Sequence, residues 1–267
     1  MLNKIFSKQN RALTRELVIT DFKLKYQGSF LGYLWSLLRP LLLFLILYIV
    51  FVKFLKIGNG VPHFPIYLLL GIILWNFFLD LTLQGLTSIV GRGDLIRKVK
   101  IPRWIIVFSS SISALITFLL NFTVVILFMV FSGVSITWNI LWLPLYLLEL
   151  YVFASGISLF LSATYVKFRD IGYIWEVLLQ AGFYLTPILY PLSKISNISF
   201  QKLIMINPVA QVIQDMRYSL ITKNSVTVEK VFNNGPYSLV PFLIVIIVFT
   251  FGALHFKKQS RYFAENI

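Results

Sequence analysis

Apolar runs long enough to cross a lipid bilayer recur along the chain, separated by short polar segments rich in Lys and Arg. The longest uncharged run, Trp104 to Ser132, holds 29 residues. A helix rises about 1.5 Å per residue and the hydrocarbon core is about 30 Å thick, so about 20 apolar residues are enough to span it. The pattern predicts six spans, at 30–55, 66–90, 104–132, 137–164, 171–190 and 238–256. Runs this unbroken lack the apolar–polar alternation of a membrane β-barrel. The expected fold is therefore an all-α integral membrane domain covering 1–267, with 1–29 and 191–237 as its two parts outside the spans.

Those two parts carry patterns of their own. Within 10–27, Leu13, Leu17 and Leu24 share a helical stripe, while Val18 and Phe22 fall off it. A basic segment of this kind reads as an amphipathic helix lying along the membrane surface. In 191–237, Asn207-Pro208 is a helix start, with Asn as cap and Pro in the first turn. Val209, Val212, Ile213, Met216 and Leu220 then follow one stripe, and Gln211, Gln214 and Asp215 take the other side. Phe200, Leu203 and Ile204 make a shorter apolar face upstream, so two short helices, sunk into the membrane from outside, are expected between spans five and six. Pro40, next to Arg39, predicts a kink or a break in the first span.

Composition changes the picture in two ways. Only 13% of the 267 residues are charged against 58% hydrophobic, which leaves little room for a separate soluble domain. The net charge of +14 has a membrane explanation, since Lys and Arg collect in cytoplasmic loops and at headgroups. Seven lie at positions up to Arg39, five from Arg92 to Arg103, two are Lys167 and Arg169, and three run from Lys257 to Arg261. Only seven fall on the alternate side, so both termini are expected in the cytoplasm, with an even number of spans. No nucleic-acid motif accompanies the charge, and no nucleic-acid partner is expected. The first 33 residues are too polar, and the first span too long, for a cleaved signal peptide, so insertion is expected through the spans themselves.

Catalytic chemistry is sparse. The chain has no Cys and two His, so a thiolate metal site, a Cys nucleophile or a disulfide is excluded. No phosphate-loop pattern occurs, and no clustered titratable set suits a membrane enzyme. Asp80, Glu149 and Glu176 lie in or near spans, where an ionised group costs about 2.5–3.5 kcal/mol or more and must face protein or a water-filled cavity. Asp80 and Glu149 are candidates for a polar path, and Glu176 reads as a group near the inner headgroups. Aromatic residues make up 16% of the chain. Tyr33, Trp35 and Tyr48 on the first span, with Tyr173, Trp175, Phe183, Tyr184 and Tyr190 on the fifth, offer flat apolar faces with polar edges that suit sugar rings.

The ordered strings carry a resemblance. They are YQGSFLGYLWSLLRPLL (Tyr26 to Leu43), GDLIRKVKIPRW (Gly93 to Trp104), YVKFRDIGYIWEVLLQAGFYLTPILYP (Tyr165 to Pro191) and INPVAQVIQDMRYSLI (Ile206 to Ile221). Together they resemble the permease subunit of ABC-type exporters of polysaccharides and polyol phosphates, the O-antigen and teichoic-acid exporters among them. That resemblance implies a six-span permease of the bacterial inner membrane, non-catalytic itself, which pairs with a second copy and with two copies of a separate ATPase. ATP and Mg would sit on the ATPase, with no cofactor or metal in this chain, and the cargo would be a lipid-linked glycan. It implies that 1–29 is the interface segment on the ATPase. Leu95, Ile96, Arg97, Lys98, Val99, Lys100, Ile101 and Pro102 would couple to the ATPase, with Phe168, Arg169 and Asp170 in the second cytoplasmic turn. Asn207, Pro208, Val212, Met216 and Arg217 would belong to an outer gate within 191–237. Arg39 is expected to attract the pyrophosphate of the lipid carrier. A teichoic-acid or capsule exporter, a permease for drugs or small lipids, a membrane enzyme of glycan assembly, and a passive channel or scaffold stand as alternatives.

Overall fold

Length and apolar character select the long elements. The structure, a computed structural model, describes all residues except 1–7, 27, 30, 59, 100, 136, 234 and 267, and omits the side chains of 9, 24–26, 33 and 264. Five stretches are long and apolar enough to cross a membrane: Trp35–Phe54, Phe64–Ser88, Trp104–Phe131, Trp138–Lys167 and Pro236–Tyr262. The first comprises α2 (Trp35–Leu47) and a π-helical continuation over Tyr48–Phe54, and α2 runs on through Pro40. The others are built on α3 (Phe64–Ser88), α5 (Trp104–Phe131), α6 (Leu143–Lys167) and α11 (Val240–Gln259). Shorter helices are α1 (Lys8–Tyr26), α4 (Gly93–Lys98), α7 (Ile171–Leu185), α8 (Ile198–Met205), α9 (Pro208–Leu220), α10 (Val228–Val231) and α12 (Phe263–Asn266). There is no strand among the described residues.

α3 is the central element. It is apolar all round, and Leu68, Leu69 and Leu70, on different faces, have no exposed surface. It packs between α5 and α6, with α2 and α9 also against it. α6 and α11 lie side by side, and a Cβ at Gly156 or Gly252 would enter the backbone of the opposite helix. Lipid is as apolar as the helices, so backbones held this close by small residues supply packing that burial does not.

The expected fifth span, 171–190, is only 15 residues of helix and ends at Leu185. Thr186 precedes Pro187, whose ring disfavours a helical conformation at the residue before it, and Thr186 is extended with ψ 138°. The bundle has two dissimilar ends. At one, Ile96 of α4 and Phe263 of α12 pack with Ile89, Ile106, Val166 and Phe256. At the other, α9 packs on α3, α6 and the 138–142 turn, and Thr137 Oγ1 donates to the Ser219 carbonyl at 3.4 Å.

Candidate functional site

A half-open cavity of about 890 Å³ lies between α2, α3, α5 and α7. Its wall mixes aromatic and polar groups. Trp35, Trp75, Phe77, Phe118, Phe183 and Tyr184 supply rings, and Asn76, Asn121, Thr117 and Gln180 supply amides and a hydroxyl. Arg39, Asp80 and Glu176 bring one cation and two acids to the same space. Asn121 Nδ2 donates to the Thr117 carbonyl at 2.9 Å and Thr117 Oγ1 donates to the Ser113 carbonyl at 3.1 Å, which ties this polar strip of α5 to its own backbone. Flat rings with scattered hydrogen-bonding edges suit a hydroxyl-rich ring better than a purely apolar ligand.

The structure gathers some of the sequence candidates here and scatters others. Trp35, Arg39, Asp80, Phe183 and Tyr184 line the cavity. Trp175 stands beside it, its indole N–H donating to Thr82 Oγ1 at 3.1 Å. Tyr48 packs on Phe44 with ring centroids 5.8 Å apart, outside the lining, and Tyr173 is exposed on α7, also outside it. Tyr190 folds back, its hydroxyl donating to the Leu185 carbonyl at 3.2 Å. Glu149 is buried beneath α9, away from the cavity. The Tyr33 side chain lies outside the described residues. Glu176, read from the sequence as a headgroup-level group, lines the cavity together with Ser36, Asn76, Thr117, Asn121 and Gln180. A polar residue in every fourth position of α5 (Ser113, Thr117, Asn121) is the signal that marked this face.

At the end formed by α4 and the α6–α7 turn, Leu95, Ile96, Arg97 and Lys98 are helical and Val99, Ile101 and Pro102 form the turn into α5. Lys100 lies outside the described residues. Ile96 is buried, whereas Arg97, Lys98, Val99 and Pro102 are exposed. Phe168, Arg169 and Asp170 are exposed together, with Arg169 over the Tyr165 ring at 5.1 Å. Arg92, just before α4, is a residue that sequence reasoning missed. It forms an ion pair with Asp21 of α1 and donates to Ser109 Oγ of α5 at 2.9 Å, so one side chain ties three elements.

At the opposite end, Asn207 caps α9, its Oδ1 accepting the Val209 N–H at 3.0 Å, with Pro208 in the first turn. Val212 and Met216 are fully buried, as the apolar stripe requires. The polar side of α9 is buried as well, unlike the free outer face of an amphipathic surface helix. Arg217 has no exposed surface: it donates to the carbonyls of Tyr67 (3.0 Å), Pro187 (2.5 Å) and Ile188 (2.9 Å), and lies 3.5 Å from the Tyr67 ring centroid. Burial lowers its pKa to about 10, with Tyr67 opposing the shift. Burial raises Asp215 to about 6, opposed by hydrogen bonds from Gln211 and the Val228 N–H.

Residues 12–221 match the family model described as ABC-2 type transporter. The chain is 28% identical over 260 residues to the O-antigen export system permease protein RfbA of Myxococcus xanthus, covering 97% of this chain and 96% of that protein. Two proteins of the same name from Klebsiella pneumoniae are each 29% identical, one over 252 and one over 256 residues, with 93% of both chains covered. With the family model spanning most of its length, the chain belongs to the ABC-2 type transporter family, and it is a transport subunit rather than an enzyme.

Proposed function

We propose that this chain is the membrane subunit of an ATP-driven exporter that carries a lipid-linked O-antigen polysaccharide across the bacterial inner membrane. The observation that carries the reading is the cavity: rings, amides and one cation–acid set share one half-open wall, which suits a cargo with a sugar part and a lipid part. The relatives named for O-antigen export point to the same cargo. Arg39, at the exposed rim of α2, is placed to meet the pyrophosphate of the carrier lipid. ATP and Mg belong to a partner ATPase, two copies of which dock on α1, on α4 with Arg97, Lys98 and Val99, and on Phe168 to Asp170. Two copies of the permease complete the conduit, the exposed apolar side chains of α7 (Ile174, Val177, Leu178) meeting lipid or the second copy.

Six crossings, with both termini cytoplasmic, are part of the proposal. Gly172 lies beside Tyr165 and Leu86, near the α4 end, and Ile188 lies beside Gly71 and Arg217, near the α9 end, which supports α7 and its extended continuation as one passage through the bundle. α8 and α9 then form the outer gate.

Affinity purification of the chain from its native membrane, with mass spectrometry, tests the reading. A stoichiometric ABC ATPase is expected, and disruption of Ile101 and Pro102 should release it. Absence of any ATPase under conditions that preserve a known exporter would sink the proposal. For the cargo, Arg39→Ala should lower export of the lipid-linked glycan about tenfold while the ATPase stays bound; unchanged export removes Arg39 from the path.

A further inference from the structure

α9 turns its polar side chains into the protein. Gln211, Gln214 and Arg217 have no exposed surface and Asp215 keeps 4%. The Arg217 guanidinium is committed to three carbonyls on α3 and the 187–188 segment. Toward α6 stands Glu149, 7% exposed, with no hydrogen-bond partner on either carboxyl oxygen. Gln211 lies beside it. Yet the Gln211 amide gives an N–H to Asp215 Oδ2 at 2.8 Å, while Asp215 Oδ1 accepts the Val228 N–H at 3.1 Å.

Gln211 Oε1 also lacks a donor. Turning the amide over would set that oxygen against Asp215 Oδ2 and move the shortage without curing it. Two buried carboxylates flank one neutral amide, and as placed its one hydrogen bond goes to Asp215, leaving both Glu149 oxygens without a donor. The surrounding groups do not make it good. Tyr146 of α6 lies by Ser219, and the Tyr67 hydroxyl of α3 donates to Gln214 Oε1 at 3.2 Å. Glu229 of α10 adds a charge of the same sign near Asp215. On α11, Pro241 to Leu254 contains no charged residue.

We propose that Glu149, Gln211 and Asp215 form a proton-binding site, in which one bound proton bridges α6 and α9 and keeps α9 seated in the bundle. The proton converts an acceptor into the missing donor and leaves one negative charge where two would oppose each other. A proton held more tightly when α9 is seated than when it is released stabilises seating fully at low pH. That stabilisation is lost as pH rises through the seated-state value, so acidification locks the helix and alkalinisation frees it. The inference rests on the outer placement of α8 and α9 proposed above.

Because the chain has no Cys, a single introduced thiol is unique. Ala210→Cys reports a fully buried position of α9, and Ser193→Cys reports an exposed position nearby. Full-length chain in spheroplasts is treated with a membrane-impermeant maleimide. The Ala210→Cys rate divided by the Ser193→Cys rate should climb about tenfold from about pH 5 to about pH 8. Glu149→Gln, which carries a permanent amide donor, should hold the ratio flat at its low-pH level. A flat wild-type ratio, or an unchanged climb in Glu149→Gln, overturns the proposal. Should Glu149→Gln fail to accumulate, infrared spectroscopy of the purified wild-type chain decides. A neutral carboxyl band must persist above about pH 6, where exposed carboxylates are ionised, and its absence overturns the proton site. Labelling of Ser193→Cys from the inner side alone would instead overturn the outer placement, with the infrared result still deciding the site.

Discussion

Arg217 shows how much one side chain can hold. Its three donors serve carbonyls on two segments, Tyr67 on α3 and Pro187 and Ile188 past the end of α7. A lysine in its place is a point charge that cannot fork, so Arg217→Lys should lower unfolding stability in detergent by about 3 kcal/mol. Gly71 makes the space, since a Cβ there would meet the Arg217 guanidinium. Gly71→Ala should therefore cost about 1–3 kcal/mol in the native background and under about 0.5 kcal/mol when Arg217 is already Met, as read from a double-mutant thermal unfolding cycle. Equal costs in the two backgrounds would refute the shared space. The Asn207 cap was legible in the sequence because a cap is made within two residues. Arg217 was named only as part of an outer gate, and its role as a tie was not legible because its partners stand 29 to 150 positions away. For the same reason Gln211, Gln214 and Asp215 read as the free side of α9, when α6 and α3 cover them.

Among helices, the five long spans were legible because length and hydropathy are local properties. The end of α7 was marked too, since Thr186-Pro187 is a stop that a hydropathy window passes over. What a window cannot show is which short helices are tied together. The pair Arg92–Asp21 joins α1 to the entrance of α4, and both side chains are partly exposed, at 16% and 24%. A pair in that setting is worth about 1 kcal/mol, or about fivefold. Under the proposed coupling, Arg92→Glu should lower glycan exported per ATP hydrolysed about fivefold. The reciprocal exchange, Asp21→Arg with Arg92→Glu, should recover most of it. No recovery by the exchange would show that Arg92 acts through Ser109 alone.

At the level of the complete bundle, the cavity is flanked by the two least enclosed apolar helices, α2 and α7, while α3 behind it is enclosed on every side. The sequence pointed to several wall residues one at a time but not to their common space, which exists only once α2, α3, α5 and α7 meet. The contact between α6 and α11 is of another kind, backbone against backbone at Gly156 and Gly252. Gly252→Val should cost about 1–3 kcal/mol in detergent stability. An unchanged melting temperature would mean that the two helices can part. In mechanical terms, two rods bonded along their length bend as one thicker beam, and stiffness rises steeply with thickness. Under the proposed coupling, a stroke delivered at the α4 end meets that beam as a fixed post, so the yielding has to come from the slender members, α2 and α7, whose side chains line the cavity.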